Sequence, residues 1–196
     1  MKTKGMLILL MGPSGSGKNT LKAHIEKIFG EKMTFVTSYT SRAIRPSEIE
    51  GKTYHYVSRE EFENMRDAEK FIESAEYGGN YYGIPLDAVQ DALSNDKIIF
   101  REIEHKGYEQ IKAKLSHEQY RLIFVDGGDW EHLKHRILSR APMGDIELAS
   151  RKESYDIEIA LKQEADAVII NKDGEVAAAE HSIEHVVRDM LAEQAN

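Results

Sequence analysis

Short apolar runs alternate along this chain with longer stretches in which apolar residues recur every three or four positions. The apolar runs predict strands at residues 6–11, 33–37, 97–103, 121–125 and 167–170. The periodic stretches predict helices at residues 18–29, 86–93, 108–115, 130–139, 146–164 and 176–193. Strands that alternate with helices in this way are typical of an α/β fold, in which helices cover both faces of a parallel sheet.

The pattern changes between residues 38 and 85, where the predicted elements become shorter. Short strands are predicted at 54–57, 70–76 and 80–82, around a helix at 60–66. The segment therefore predicts a small lobe, residues 38–85, inserted into a main domain made of residues 1–37 and 86–196. Apolar residues of the later helices are expected to form core stripes, and these are Leu133, Ile137, Ile183, Val186, Val187, Met190 and Leu191.

The segment between the first predicted strand and the first predicted helix is rich in glycine. It reads Gly12-Pro13-Ser14-Gly15-Ser16-Gly17-Lys18-Asn19-Thr20. A glycine turn that leads into a helix N-terminus points backbone N–H groups at an anion, and Lys18 is placed to reach the outer phosphates of a nucleotide. These nine residues therefore predict a nucleotide-binding phosphate loop. Asn19 stands where the strict motif has a Ser or Thr that holds Mg²⁺, and Thr20 follows it.

The composition narrows the possible partners. The chain contains no Cys, which excludes disulfides and thiolate chemistry, and its formal net charge is −8, so no nucleic-acid partner is expected. No signal peptide is visible, and no apolar run approaches the ~20 residues of a membrane span, so a cytoplasmic protein without membrane contact is expected. In so acidic a chain, clustered arginines predict local anion sites, and the two clusters are Arg42 with Arg45, and Arg136 with Arg140 and Arg151.

The start of the predicted lobe resembles the nucleotide-acceptor motif of guanylate kinases. It reads Ser38-Tyr39-Thr40-Ser41-Arg42-Ala43-Ile44-Arg45-Pro46-Ser47-Glu48. The resemblance continues in collinear order over nearly the whole chain, through residues 51–57, 71–76 and 79–83, the second arginine cluster, and residues 168–171. It implies a phosphate-loop α/β fold with an acceptor lobe and a lid. It also implies transfer of the γ-phosphoryl group of ATP to a nucleoside monophosphate, normally GMP.

The resemblance assigns residues to the acceptor. It implies that the GMP phosphate is held by Ser38, Arg42, Arg45, Tyr54 and Tyr82. Arginine suits this role because its planar fork matches phosphate oxygens better than a lysine does. Glu73 matches the family's guanine reader. One carboxylate accepts hydrogen bonds from the adjacent N1–H and N2–H₂ groups of guanine, whereas the N1 acceptor of adenine would be repelled.

The resemblance also assigns residues to the ATP side. It implies a lid over about residues 139–151, and the arginines that close on the ATP phosphates are Arg136, Arg140 and Arg151. With Lys18 and Arg42, these arginines are the predicted catalytic residues, because phosphoryl transfer depends on alignment and on stabilising charge at the transferring group. Asn171, at the end of the last predicted strand, is expected near the ATP base.

Besides Asn19, three positions depart from the family pattern. Ile84 stands where the family has Ser or Thr, whose hydroxyl meets guanine, and Glu102 and Glu104 stand where it has Asp. We expect Glu102 to approach Mg²⁺ or its waters together with Asn19, and Glu104 and Ile84 to lie at the acceptor base. These departures predict a working kinase with altered or relaxed selectivity for its acceptor.

Two alternatives stay open from the residues. A ribose bisphosphate kinase would share the fold and also lack Ser or Thr after the loop lysine, but Tyr54 and Glu73 favour a nucleotide acceptor. A guanylate-kinase-like binding module would grip a phosphopeptide without turnover, but the retained Lys18 favours catalysis. His181 and His185 lie four residues apart and are interpreted as a solvated helix face, since the sequence offers no third metal ligand.

Overall fold

A computed structural model describes residues 5–140 and 143–193 of the chain. The strands are β1 (Met6–Met11), β2 (Met33–Thr34), β3 (Tyr39–Thr40), β4 (His55–Tyr56), β5 (Phe71–Tyr77), β6 (Asn80–Pro85), β7 (Ile98–Glu102), β8 (Tyr120–Asp126) and β9 (Ala167–Ile170). The α-helices are α1 (Lys18–Phe29), α2 (Arg59–Asp67), α3 (Leu86–Ser94), α4 (His105–Lys114), α5 (Trp130–Arg140), α6 (Asp145–Leu161) and α7 (Val176–Glu193).

Five strands form a parallel sheet in the order β2-β7-β1-β8-β9. The central strand β1 is buried along its whole length, which is why it is a continuous apolar run instead of an alternating one. Met6 and Ile8 pack on one side of the sheet with apolar residues of α1 and α7. Leu7 and Leu9 pack on the other side with residues of α3 and α4. The predicted α/β fold is therefore confirmed.

Four short strands form a second sheet in the order β4-β3-β6-β5. β6 pairs antiparallel with both β3 and β5, and α2 packs against this sheet, where the rings of Phe62 and Phe71 stack with centroids 4.5 Å apart. Ile72 and Ile84 of the second sheet belong to the same buried cluster as Leu7 of β1. The second sheet is thus packed directly onto the main one, and the boundaries of the predicted lobe stay a prediction.

Helix α4 begins at His105, three residues before the predicted start. Gly107 lowers the helix propensity of this first turn, yet it is buried inside the helix. A Cβ at Gly107 would lie 2.5 Å from Ile103 Cδ1 and 3.2 Å from Glu73 Oε2. The glycine therefore serves the close packing of α4 against β7 and β5, a tertiary requirement that local sequence does not reveal.

Other predicted elements differ mainly at their ends. The strand expected at 33–37 pairs only as β2, and the two-residue strand β3 is too short to show alternation in the sequence. The helix expected at 146–164 is α-helical only as far as Leu161, the end of α6, and a 3₁₀ turn at Lys162–Glu164 follows. The predicted core stripes are confirmed, since each of their residues is buried or packs partly buried on a buried cluster. Among the helices of the described ranges, none has the length and apolar content to span a bilayer.

Candidate active site

The phosphate loop joins β1 to α1 in a conformation that glycine makes possible. Gly12 and Gly17 have φ values of +151° and +95°. A Cβ at Gly12 would lie 2.3 Å from Val125 O, and one at Gly17 would lie 2.1 Å from Asn171 Nδ2. That amide nitrogen donates a hydrogen bond to Ser16 O at 2.7 Å. The loop is therefore fixed from the end of β9, where Asn171 is buried.

Lys18 folds back over the loop that precedes it. Its Nζ donates to Gly12 O at 2.5 Å and to Pro13 O at 3.2 Å. The same nitrogen lies 3.8 Å from Glu102 Oε1 at the end of β7. The ammonium group thus lies at the carboxyl edge of the sheet, between loop carbonyls and one carboxylate, with its charge available to a phosphate.

Arg136 connects α5 to the same loop. Its guanidinium donates to Gly15 O at 3.3 Å and to Asn171 O at 3.0 Å, and it pairs with Asp173, with Nη2 and Oδ1 at 2.5 Å. Arg136 is therefore not a merely solvated surface arginine. Its position brings a cation to the loop from the helix side.

The other two arginines of this cluster differ in their contacts. Arg151 of α6 donates to Ser14 Oγ of the loop at 3.2 Å and pairs with Glu147 at 2.9 Å. Arg140 is the exposed last residue of α5. The predicted lid is largely helical, because it includes the end of α5 and the start of α6, and its residues 141 and 142 lie outside the described ranges.

A second cationic cluster lies in the lobe. Arg42 donates a bidentate pair of hydrogen bonds to Glu48, at 2.7 and 3.1 Å, and Tyr56 Oη donates to the same carboxylate at 2.9 Å. The Arg42 guanidinium lowers the pKa of Glu48 to about 2, so this carboxyl is an anion at neutral pH. The positive charge of Arg42 is therefore already paired with the Glu48 carboxylate, which also accepts a hydrogen bond from Tyr56.

The remaining predicted phosphate ligands surround this cluster. The Tyr54 ring lies 5.8 Å from both the Arg42 guanidinium carbon and the Tyr82 ring centroid. Arg45 contributes its backbone N–H to Glu48 at 2.8 Å and has an exposed side chain. Arg42, Tyr54 and Tyr82 are thus brought together, whereas the side chain of Arg45 extends towards solvent at the edge of the group.

Glu73 of β5 is partly buried between the lobe and α4. Burial raises its pKa to about 7, the nearby Arg101 opposes that rise, and Glu104 adds to it. Ile84 is the cross-strand partner of Glu73 and is only 3% exposed. Glu104, at the N-cap position of α4, is exposed. The structure therefore places Glu73, Ile84 and Glu104 in one region, with Ile84 inside the core.

The donor set around the loop fits a phosphate-bound Mg²⁺ better than an all-protein metal site. Glu102 offers one carboxylate beside Lys18, and Asn19 and Thr20 are exposed in the first turn of α1. Mg²⁺ in kinases commonly takes one or two protein oxygens and completes its shell with phosphate oxygens and water. Within residues 5–140 and 143–193, no three His, Cys, Asp or Glu side chains are grouped to bind a metal.

The histidine pair of α7 does not join the site. His181 and His185 are exposed on this helix, and His185 pairs with Asp189, with Nδ1 and Oδ2 at 2.9 Å. Their interpretation as a solvated helix face is consistent with these contacts. Among the described residues, the pair has no third His, Cys, Asp or Glu grouped with it to bind a metal.

Comparison with known proteins places this geometry in a family. The family model described as guanylate kinase matches residues 4–190. The chain belongs to the guanylate kinase family. A guanylate kinase from Streptococcus thermophilus (strain CNRZ 1066) is 37% identical over 206 aligned positions, which cover 99% of this chain and 98% of that protein. One from Lactococcus lactis subsp. lactis (strain IL1403) is 39% identical over 180 positions, 91% of this chain and 85% of that protein.

A solved structure agrees with this membership. The crystal structure of guanylate kinase from Anaplasma phagocytophilum matches with a TM-score of 0.66 and 26% identity, over 100% of this chain and 89% of that one. As a guanylate kinase family member, the chain is an enzyme of the nucleoside monophosphate kinase class, and the fold and reaction type predicted from its sequence are confirmed.

The structure of this guanylate kinase homologue adds four residues that sequence reasoning missed. Glu48 and Tyr56 complete the Arg42 cluster, and Arg101 of β7 reaches the lobe. Glu158 of α6 is a buried acid, 5% exposed. Two of them could have been noticed in the sequence. Arg101 is a charge in an otherwise apolar strand, and Glu48 is an acid three residues after Arg45, so both are expected to pair with an opposite charge or a polar group.

Glu158 links α6 to the first turn of α4. Its Oε1 lies 3.9 Å from His105 Nδ1, and the carboxylate is near the His105 backbone N–H, Lys18, Glu102 and Glu104. Burial is the main reason that the pKa of Glu158 rises to about 7, and Lys18 opposes the rise. The carboxyl is therefore partly protonated near neutral pH.

This buried acid predicts a pH-dependent stability. Between about pH 4.5 and 7, folded Glu158 keeps a proton that the unfolded chain has released, so the free energy of unfolding falls as pH rises through this window. At pH 8, Glu158 has lowered the free energy of unfolding by about 3 kcal/mol relative to its value below pH 4.5. We expect Glu158→Gln to flatten the decline in urea denaturation curves recorded from pH 5 to 8.

The exposed Glu153→Gln on the same helix is the matched control, and it is expected to keep the wild-type slope. Glu73 also has a raised pKa, so some decline is expected to persist in Glu158→Gln. An unchanged slope in Glu158→Gln would contradict the prediction.

Proposed function

We propose that this enzyme transfers the γ-phosphoryl group of ATP to GMP. The observation that carries the proposal is the presence of two separate cationic groups that can bind phosphate. One is the loop with Lys18 at the carboxyl edge of the main sheet, and the other is the Arg42 cluster in the adjoining lobe. A phosphoryl transferase with two phosphorylated substrates needs such a pair. In this assignment, residues 1–37 and 86–196 form the core, 38–85 the acceptor lobe, and 139–151 the lid.

The loop is assigned to ATP. The backbone N–H groups at the start of α1 and the Lys18 ammonium would receive the β- and γ-phosphates. Ser16 Oγ supports this assignment, because it is buried and has no hydrogen-bond partner among the described residues, which leaves it free for a ligand or water. Asn171 Oδ1 is in the same condition, consistent with its expected place near the ATP base.

Glu102 and Asn19 are the residues that would hold Mg²⁺ together with ATP. The ion, when bound, neutralises charge on the β- and γ-phosphate oxygens. The protein's own cations do the remaining work. Lys18, Arg136 and Arg151 are positioned to stabilise charge on the transferring group, and Arg140 would join them when the lid closes and excludes water. In-line transfer then needs no general base from the protein.

The acceptor lobe is assigned to GMP. Ser38, Arg42, Arg45, Tyr54 and Tyr82 would bind the phosphate, with Arg42 turning from Glu48 to the substrate. Glu73 in its ionised form would accept the N1–H and N2–H₂ groups of guanine, and Glu104 would lie beside it. Ile84 offers no hydrogen bond to the base, so we propose that selectivity is relaxed towards other 6-oxopurine nucleotides such as IMP. Location in the cytoplasm without a nucleic-acid partner stays a prediction.

A coupled assay of ADP release with MgATP tests the proposal across GMP, dGMP, IMP, AMP and UMP. We expect GMP to give the highest kcat/KM, with measurable turnover of IMP. Turnover of none of these, together with phosphorylation of a ribose phosphate, would favour the ribose bisphosphate kinase. Calorimetry that detects no MgATP binding would favour the silent binding module. Exclusive use of GMP would refute relaxed selectivity and keep the kinase.

The Arg42 cluster yields a further prediction. Arg42→Lys is expected to raise KM for GMP about tenfold, because an ammonium cannot make the bidentate contact that the guanidinium now makes with Glu48. KM for ATP should stay within about twofold of the wild-type value, since the loop is untouched. Arg66→Lys, at an exposed position of α2, is the control in the same lobe. Equal KM values for GMP in the two variants would be the contrary result.

A further inference from the structure

Arg101 is a charged residue at the carboxyl end of an apolar strand. The three residues before it in β7, Ile98, Ile99 and Phe100, are buried, whereas Arg101 turns towards the lobe. Its Nη2 donates to Ser38 Oγ at 2.8 Å and its Nη1 donates to Val36 O at 3.3 Å. Two contacts on the segment that leads into β3 therefore fix the direction of the guanidinium.

The guanidinium fixed in this way lies near Glu73. Arg101 and Lys114 are the two cations that lower the pKa of Glu73, and Glu104 is the nearby carboxylate that raises it. Lys114 Nζ is already committed to Phe71 O at 2.5 Å. Arg101 also lies near the Tyr54 hydroxyl. It therefore contacts Ser38 and lies near Tyr54, two residues assigned to the phosphate, and also near Glu73, the residue assigned to the base.

Arginine has hydrogen-bonding capacity left for a ligand. A guanidinium carries five N–H groups. Ser38 and Val36 receive two of these, and no other hydrogen bond of Arg101 is found within the described ranges. Ile84, opposite Glu73, has no donor. Arg101 thus keeps N–H groups that can donate to a ligand near Glu73.

We propose that Arg101 is a specificity-determining residue that selects 6-oxopurine nucleoside monophosphates. This inference rests on the proposed function. A 6-oxopurine presents an acceptor, O6, next to a donor, N1–H, which matches an arginine beside a carboxylate. Adenine presents the reverse order, a 6-amino donor next to the N1 acceptor, and mispaired buried groups are costly. Arg101 supplies the donor that Ile84 lacks, and its positive charge favours the ionised form of Glu73 against the effect of burial.

The test compares Arg101→Met and Arg101→Lys with the wild type. Arg101→Met keeps a similar length without charge, and we expect it to lower kcat/KM for GMP about 50-fold, with a smaller fall for AMP. KM for ATP should change less than about twofold. Arg101→Lys should recover part of the loss. Arg121→Met on β8 is the matched control, because this arginine contacts His117 O and Tyr120 O, and it should behave as wild type.

A pH profile separates this role from a purely structural one. Without the cation, the pKa of Glu73 rises further, so the midpoint at which kcat/KM for GMP increases should move to higher pH in Arg101→Met. A parallel fall for GMP and AMP, an equal rise in KM for ATP, or an unmoved midpoint would overturn the proposal. If Arg101→Met does not fold, Arg101→Lys decides, since an unchanged GMP-to-AMP preference in that variant refutes it.

Assays of the wild-type enzyme distinguish failure of the proposed function from failure of the role assigned to Arg101. If wild type phosphorylates no nucleoside monophosphate, the proposed function fails and the assignment of Arg101 fails with it. If wild type phosphorylates GMP and Arg101→Met retains the wild-type preference for GMP over AMP, only the assignment of Arg101 fails.

Discussion

Replacing Lys18 by Met is expected to lower kcat by about 10³-fold, the scale on which a single preorganised charge contributes to transfer. Lys18 Nζ now lies over the loop, against Gly12 O and Pro13 O, where it would meet the γ-phosphate. Methionine fills a similar volume without the charge. The loss should fall mainly on kcat, because charge on the transferring group grows in the transition state.

Single-turnover kinetics with saturating MgATP and GMP would measure this loss without interference from product release. Lys22→Met, on the exposed side of the same helix, is the control and should retain wild-type rates. Thermal unfolding of both variants checks that the loop is intact. A kcat within tenfold of wild type in Lys18→Met would falsify the catalytic role of the lysine.

Replacing Glu73 by Gln is expected to lower kcat/KM for GMP by about 10³-fold, with little effect on KM for ATP. The amide replaces one acceptor oxygen by a donor, which would face a donor of guanine in a partly buried position. The same amide suits the N1 acceptor of adenine. The preference for GMP over AMP should therefore fall by more than the activity on GMP itself.

Glu76→Gln is a matched control for this variant. It lies on the same strand, its side chain is half exposed, and it pairs with Arg59 instead of facing α4. Wild-type kinetics are expected for it. The pH dependence gives a second measurement: kcat/KM for GMP in wild type should rise through about pH 7 as Glu73 ionises, and this rise should vanish in Glu73→Gln. Persistence of the rise would assign it to another group.

The elements that sequence predicted best are those that local periodicity defines. Helices α1 and α7 and strands β1 and β9 begin and end where the pattern placed them, because the helices are long amphipathic segments and both strands are apolar runs bounded by polar residues or glycine. Strand β3 and the first turn of α4 were missed. Their structure depends on pairing with β6 and on the fit of Gly107 against Ile103, which are contacts between distant or buried groups.

The site shows the same division. The loop could be predicted from a motif with fixed spacing, and the family resemblance indicated Arg136 and Arg151, which contact it. The hydrogen bond of Arg101 to Ser38 joins residues 63 positions apart, and the contact of Glu158 with the first turn of α4 joins two helices. No local pattern reveals such pairs. Arg42 and Glu48 are only six positions apart, but they lie in a loop, where no regular spacing indicates which charges pair, so this pair was not predicted either.

The pairing of Arg42 with Glu48 has a consequence for how an acceptor enters. Before substrate arrives, the Arg42 guanidinium is already paired with a carboxylate that belongs to the protein. If the acceptor phosphate binds Arg42 as proposed, it exchanges with Glu48 instead of meeting an open positive charge. Free inorganic anions, which bring nothing but charge, gain little from such an exchange. A nucleotide gains its base contacts as well, so we expect the lobe to bind nucleotides in preference to small anions.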